Sequence, residues 1–170
     1  KNQNKYNFHK KNKHKSGYDL EALCEAYSDL LPFVFENKYE TKTIDFANPK
    51  AVKALNTALL FKHYNIDFWD IPSGYLCPPI PGRVDYTHHL ADLLASSNNR
   101  TIPRGRHIKV LDIGTGASLV YPLTGQSEYG WHFTGVDIDA GALKSARQIC
   151  DLNTLDIALR QQNKPEDIFK

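Results

Sequence analysis

The residues with the strongest chemical signature run Val110-Leu111-Asp112-Ile113-Gly114-Thr115-Gly116-Ala117-Ser118. An apolar run ends in Gly-x-Gly, and the missing Cβ atoms let backbone amides approach a ligand where a following helix opens. Three classes of cofactor use such a turn. A phosphate loop needs Gly-Lys-Ser/Thr at its end, and no lysine stands here. A dinucleotide site needs a third glycine, and Leu119 occupies that position. Asp112, just before the glycines, would face a pyrophosphate unfavourably but suits a cationic ligand with an ammonium and no phosphate. S-adenosylmethionine has that chemistry. Asp137, 21 residues beyond Gly116, ends the next apolar run, where a carboxylate can accept both hydroxyls of a ribose. Asp139 is the neighbouring candidate, and strand alternation with the turn at Ala140-Gly141 favours Asp137. The structural alternative is an ordinary strand–helix–strand turn with a helix-capping aspartate.

These residues need a scaffold, and the periodicity from residue 108 onward supplies one. Residues 108–113 read as a buried strand, a glycine turn and helix follow, 132–138 form a second strand, 140–153 a helix and 154–162 a third strand. Such alternation implies an α/β fold with a parallel sheet and a ligand site at the carboxyl ends of its strands. Upstream the pattern is mostly helical. Residues 19–31 read as a helix capped by Asp19. Residues 48–64 read as another, with Asn48 as N-cap, Pro49 in the first turn and Val52, Leu55, Leu59 and Leu60 on one face. Residues 66–84 carry Pro72, Pro78, Pro79 and Pro81 and are expected to be an ordered, extended loop, with a helix at about 85–95 after it. The division is therefore a basic arm at 1–18, a helical and proline-rich region at 19–107, and the first half of an α/β core at 108–170.

The 170 residues are 41% hydrophobic and 24% charged, which suits a globular chain and excludes disordered and collagen-like classes. No apolar run is long enough to span a membrane and the first residues are polar, so no membrane partner is expected and a cytoplasmic protein is the default. Cys24, Cys77 and Cys150 lack metal or disulfide spacing and read as reduced, packed thiols. His88 and His89 are adjacent, so on a helix they point about 100° apart and cannot chelate one ion. They read as packing or surface residues, and no metal is expected. Trp69 and Trp131 read as core or loop anchors.

Charge is uneven. Residues 1–15 hold six lysines and no acid, with Tyr6 and Phe8 interleaved, a composition that suits a polyanion better than a plain solvated tail. Lys10, Lys11, Lys13 and Lys15 are candidates for phosphate contact. A second acid-free stretch contributes Arg104 and Arg106.

Three segments carry a family resemblance. They are Asn48-Pro49 with AVKALNTALL, DIPSGYLCPPIPGRVDYTHHLADLL, and LDIGTGASLVYPLTGQSEYGWHFTGVDID. Over about residues 8–170 the chain resembles the RlmF-like adenine-N6 methyltransferases of large-subunit ribosomal RNA and their eukaryotic RNA methyltransferase relatives. The resemblance implies a class I S-adenosylmethionine-dependent methyltransferase fold, a Rossmann-like parallel sheet preceded by the helical region. It implies methyl transfer to the N6 amine of an adenine in ribosomal RNA, and donor binding through Gly114, Gly116, Ser118 and Asp137, with Arg83 contributing from the PGR segment. From the residues alone, Arg83 reads as a surface or loop-bracing arginine.

The chain also departs from the family. Amino-group methyltransferases carry an Asn/Asp-Pro-Pro-aromatic tetrad whose carbonyls accept the amine hydrogens and whose ring stacks on the extruded base. The nearest strings here, Asn48-Pro49-Lys50 and Cys77-Pro78-Pro79-Ile80, lack those groups. With no methionine at position 1, the chain reads as a fragment whose catalytic residues are expected beyond Lys170. Two other readings stay open: a non-catalytic donor- or RNA-binding module, and a small-molecule methyltransferase.

Overall fold

A computed structural model describes residues 6–169. Helix α1, Leu20–Ala26, starts where the Asp19 side chain accepts the Ala22 amide at 3.1 Å. It stops well short of the expected residue 31. Tyr27 is extended and the chain continues as a 3-10 helix, Ser28–Phe33. Pro32 explains the break, because it has no amide hydrogen and its ring would collide with the carbonyl four residues back in an α-helix. A short antiparallel hairpin that the sequence pattern did not suggest follows, β1 Val34–Glu36 with β2 Lys42–Ile44. Helix α2, Pro49–Tyr64, has the expected Asn48 cap and buries Leu55, Leu59 and Leu60.

The proline-rich stretch is a loop only as far as Pro79. Helix α3, Ile80–Ser96, begins five residues before the expected 85, because prolines are tolerated in a first turn where amides have no helical partner. Its N-cap, Pro79, offers no side-chain acceptor. The buried Asn56 of α2 fills that role, accepting the Ile80 amide at 3.3 Å.

From Lys109 the alternation is as expected: β3 Lys109–Ile113, α4 Val120–Tyr129, β4 His132–Asp137, α5 Ala140–Leu152 and β5 Ala158–Gln161. The three strands are parallel in the order β3-β4-β5, with Asp112 opposite Gly135 and Asp137 opposite Gln161. One core joins the helices to the sheet, and Tyr64, Leu60, Ile80, Leu119, Leu123, Trp131 and Ile149 are all buried in it. Both tryptophans are anchors: Trp69 Nε1 donates to the Ser118 carbonyl and Trp131 Nε1 to the Pro103 carbonyl, each at 2.8 Å. The cysteines are free thiols. Among the described residues no helix is long and apolar enough to cross a membrane.

Candidate cofactor site

The glycine turn folds back over the end of β4. The amides of Gly114 and Thr115 both donate to the Val136 carbonyl, at 2.8 and 3.0 Å. Gly114 and Gly116 have φ of +75° and +65°, a region costly for a side chain, and a Cβ on either would meet no atom within 4 Å. The demand for glycine is thus conformational, and the space in front of the turn is open for a ligand.

Asp137 closes this turn. Its Oδ2 accepts the Gly116 amide at 2.8 Å and its Oδ1 accepts the Asp139 amide at 3.0 Å. Asp139 is engaged otherwise. Its Oδ1 accepts the Gly141 and Ala142 amides as the cap of α5, and its Oδ2 accepts the Tyr75 hydroxyl at 2.9 Å. The Tyr75 hydroxyl and then those amides hold the Asp139 carboxyl below its usual range. Tyr75 ties the proline-rich loop to the end of β4, and Gly141 makes that possible, since a Cβ there would lie 2.6 Å from the Tyr75 oxygen.

Asp112 is half-buried under the turn. Burial pushes its carboxyl up, against the Thr115 hydroxyl that donates to it at 2.7 Å, and the nearby Asp137 raises it further. Two negative carboxylates beside one glycine turn make this end of the sheet attractive to a cation. Thr115 fits because residue 135 is glycine, where a Cβ would come within 2.9 Å of its side chain. Ser118 is buried at the end of the turn, its carbonyl fixed by Trp69.

A hollow of about 250 Å³ opens at the carboxyl ends of the strands, lined by Gly114, Asp137, Ile138, Gln162, Asn163 and Ile168 among others. Sequence reasoning missed Gln162, Asn163 and Ile168. They follow the shortest strand of the sheet, and the amide of Gln162 donating to the Asp137 carbonyl and the Gln161 side chain donating to the Ile138 carbonyl, each at 3.0 Å, bring them round. Arg83, in the first turn of α3, donates from Nη1 to the Tyr121 hydroxyl at 3.1 Å. This brings its guanidinium to the first turn of α4, directly after the glycine turn, so it braces two helices.

The basic arm is not a loose tail over the residues described. The His9 backbone amide donates to Asp85 Oδ1 at 2.7 Å, and its ring shares a hydrogen bond with Asp92 at 2.8 Å. Asn12 donates to Pro81 and Asp85, and the buried His14 shares a hydrogen bond with the Tyr64 hydroxyl at 2.7 Å. Among the candidate phosphate contacts, Lys13 pairs with Glu128 at 2.7 Å and lies over the Tyr64 ring. Lys11 faces Asp92, and Lys15 donates to the Lys10 carbonyl. Arg104 donates to the Glu128 carbonyl and stacks on Tyr129, and Arg106 pairs with Asp156. Lys10 and Lys11 are exposed and Lys15 is half-buried, and Lys1 and Lys5 lie outside the described residues. His88 is buried with Nδ1 against the Tyr129 hydroxyl, and His89 is exposed beside Asp85. Among the described residues no cluster of His, Cys, Asp or Glu could hold a metal ion.

A parallel sheet with a positive-φ glycine turn after its first strand and an acid closing that turn from the second is a Rossmann-like arrangement, and its match to methyltransferase domains makes it a methyltransferase fold. The chain belongs to the RNA methyltransferase family, whose profile matches residues 2–170. The ribosomal RNA large subunit methyltransferase F of Pseudoalteromonas translucida is 60% identical over 162 residues, covering 95% of this chain and 52% of its own length. The protein of that name from Yersinia enterocolitica is 52% identical over 168 residues, covering 97% of this chain and 50% of its own length. The chain thus spans about half the length of the curated relatives it matches. Among solved structures, the N-terminal domain of human METTL16 in complex with SAH superposes with a TM-score of 0.82 at 30% identity, covering 96% of this chain and 64% of that one. The METTL16 catalytic domain in complex with a MAT2A 3′UTR hairpin gives 0.78 at 30% identity, covering 92% and 52%.

Proposed function

We propose that this chain is the donor-binding half of an S-adenosylmethionine-dependent RNA methyltransferase that acts on the N6 amine of an adenine in large-subunit ribosomal RNA, in the cytoplasm. The observation that carries the donor assignment is the Asp137 carboxylate on the Gly116 amide, with open space before both glycines and a hollow beside them. When bound, S-adenosylmethionine supplies an electrophilic methyl on a sulfonium. The chain's own residues bind and orient: Asp137 retains lone pairs for ribose hydroxyls, and Ile138 and Ile168 offer apolar contact to a purine face. Gly114, Gly116 and Ser118 shape the turn, Asp112 favours the cationic end, and Arg83 reaches the edge where an amino-acid carboxylate can lie.

The adenine target is supported by the family resemblance, and the ribosomal RNA substrate by the names of the relatives. Phosphate contact falls to Lys10, to Lys11, which stands 3.7 Å from Asp92, and to Lys15, which meets only a backbone carbonyl of the arm itself. Lys13, Arg104 and Arg106, engaged with Glu128, Tyr129 and Asp156, contribute by holding the arm and the 100–109 stretch in place. The donor assignment is tested by calorimetry of the chain with S-adenosylhomocysteine and with a nicotinamide dinucleotide. Preference for the first supports it, and preference for the second overturns it.

A further inference from the structure

A large concavity lies away from the cofactor turn. A groove of about 540 Å³ runs between α1, the 3-10 helix and the β1–β2 hairpin, and no residue of the parallel sheet lines it. Its walls are apolar: Leu20 and Val34 lie beneath, while Leu31 and Phe35 stand 63% and 50% exposed. Exposed large apolar side chains grouped in one concavity mark a docking surface more often than scattered ones do. Cys24 joins the wall, and burial pushes its thiol up, so it stays uncharged at neutral pH. The rim is acidic, formed by Glu21, Glu25 and Glu36, and Lys42, the one cation among the described residues that line it, is already paired with Glu21.

We propose that this groove binds a cationic polypeptide segment, one that inserts apolar side chains against Leu31 and Phe35 while its Lys or Arg residues meet Glu25 and Glu36. Charge complementarity selects this occupant. Nucleic acid would be repelled by the carboxylates, an acidic or neutral segment would leave them unpaired, and the apolar walls require more than a bare cation. The two edges of the hairpin also carry backbone groups to which an extended segment can add as a strand. The chain would then meet RNA with its lysine-bearing arm and a basic protein with its helical region. This surface is independent of the donor reading.

The test uses a fluorescein-labelled decapeptide that alternates arginine with leucine, and a second that alternates arginine with serine, read by fluorescence anisotropy against the 170-residue chain. The first is expected to bind saturably, and the second about tenfold more weakly or worse. Glu25→Lys with Glu36→Lys, both at exposed positions, is expected to weaken the first peptide by about tenfold with an unchanged melting temperature. Leu31→Ser with Phe35→Ser is expected to do the same through the walls. No saturable binding, equal binding of both peptides, or indifference to both double variants would overturn the proposal. So would self-association of the chain that the same variants abolish, or loss of peptide binding in a longer gene product containing this chain, since each assigns the groove to another occupant.

Discussion

The Gly116 amide donates to Asp137 Oδ2 at 2.8 Å, joining two residues 21 apart in sequence and closing the glycine turn onto the end of β4. The same carboxylate receives the Asp139 amide on its other oxygen. One acid therefore shapes the turn and keeps lone pairs directed into the hollow, while Asp139 beside it caps α5. If those lone pairs take ribose hydroxyls, Asp137→Ala weakens S-adenosylhomocysteine binding by about 1.5–3 kcal/mol, the scale of hydrogen bonds to a charged group. Titration calorimetry checks this, and unchanged affinity would remove Asp137 from the site.

Arg83 and Tyr121 are linked at 3.1 Å with the arginine donating, which leaves the tyrosine proton free for a second acceptor. If the pair faces the amino-acid end of the donor, Tyr121→Phe and Arg83→Lys each weaken S-adenosylhomocysteine binding by about 3–10-fold. Binding of methylthioadenosine, which lacks that end, stays unchanged. Equal losses for both ligands would show a purely structural pair.

The docked arm alters how RNA contact is to be measured. Removing residues 1–15 would strip the buried Asn12 and His14 from the core along with the lysines. Charge alone is removed by Lys10→Gln, Lys11→Gln and Lys15→Gln together. This triple variant is expected to lower the slope of log affinity against log salt for a ribosomal RNA fragment by about 2–3, at roughly 0.7–0.9 per phosphate contact. An identical slope would mean these lysines are only solvated.

Methyl transfer requires acceptor carbonyls and a stacking ring at the amine, and the 170 residues contain no Asn/Asp-Pro-Pro-aromatic tetrad. The chain on its own is therefore expected to leave ribosomal RNA unmethylated while still binding the donor. Incorporation of radiolabelled methyl by the chain would contradict this.

His14 makes the arm's docking sensitive to acid. Burial first, then His63, Lys13 and His88, lower its pKa from 6.5 to about 3, and burial lowers His63 and His88 as well. The folded state disfavours the proton that the unfolded chain accepts. The stabilisation is therefore complete above about pH 6.5 and is lost as pH falls from there toward about 3. Urea midpoints should decline across that window, and His14→Gln should flatten the decline. A wild-type midpoint constant between pH 7 and 4.5 would refute the assignment.

Contiguous residues made much of this protein legible from sequence. The Asp112–Ser118 run and the Asn48-Pro49 start of α2 act through neighbours within a turn, and Asp137 lies one strand–helix–strand unit further on, a spacing that sequence alone displays. The class of fold followed from these. Other features depend on partners far along the chain. Asn56 caps α3 from another helix, so the helix starts at Ile80 rather than after the prolines. Lys13 pairs with Glu128 115 residues away, which turns a lysine-rich tail into a docked strap. Arg83 reaches Tyr121, and Gln162 reaches the Asp137 carbonyl, only once the helices and strands have packed. A hydrogen bond or ion pair across such separations leaves no periodic trace in sequence, because its two halves become neighbours only when burial of the shared core brings their elements together.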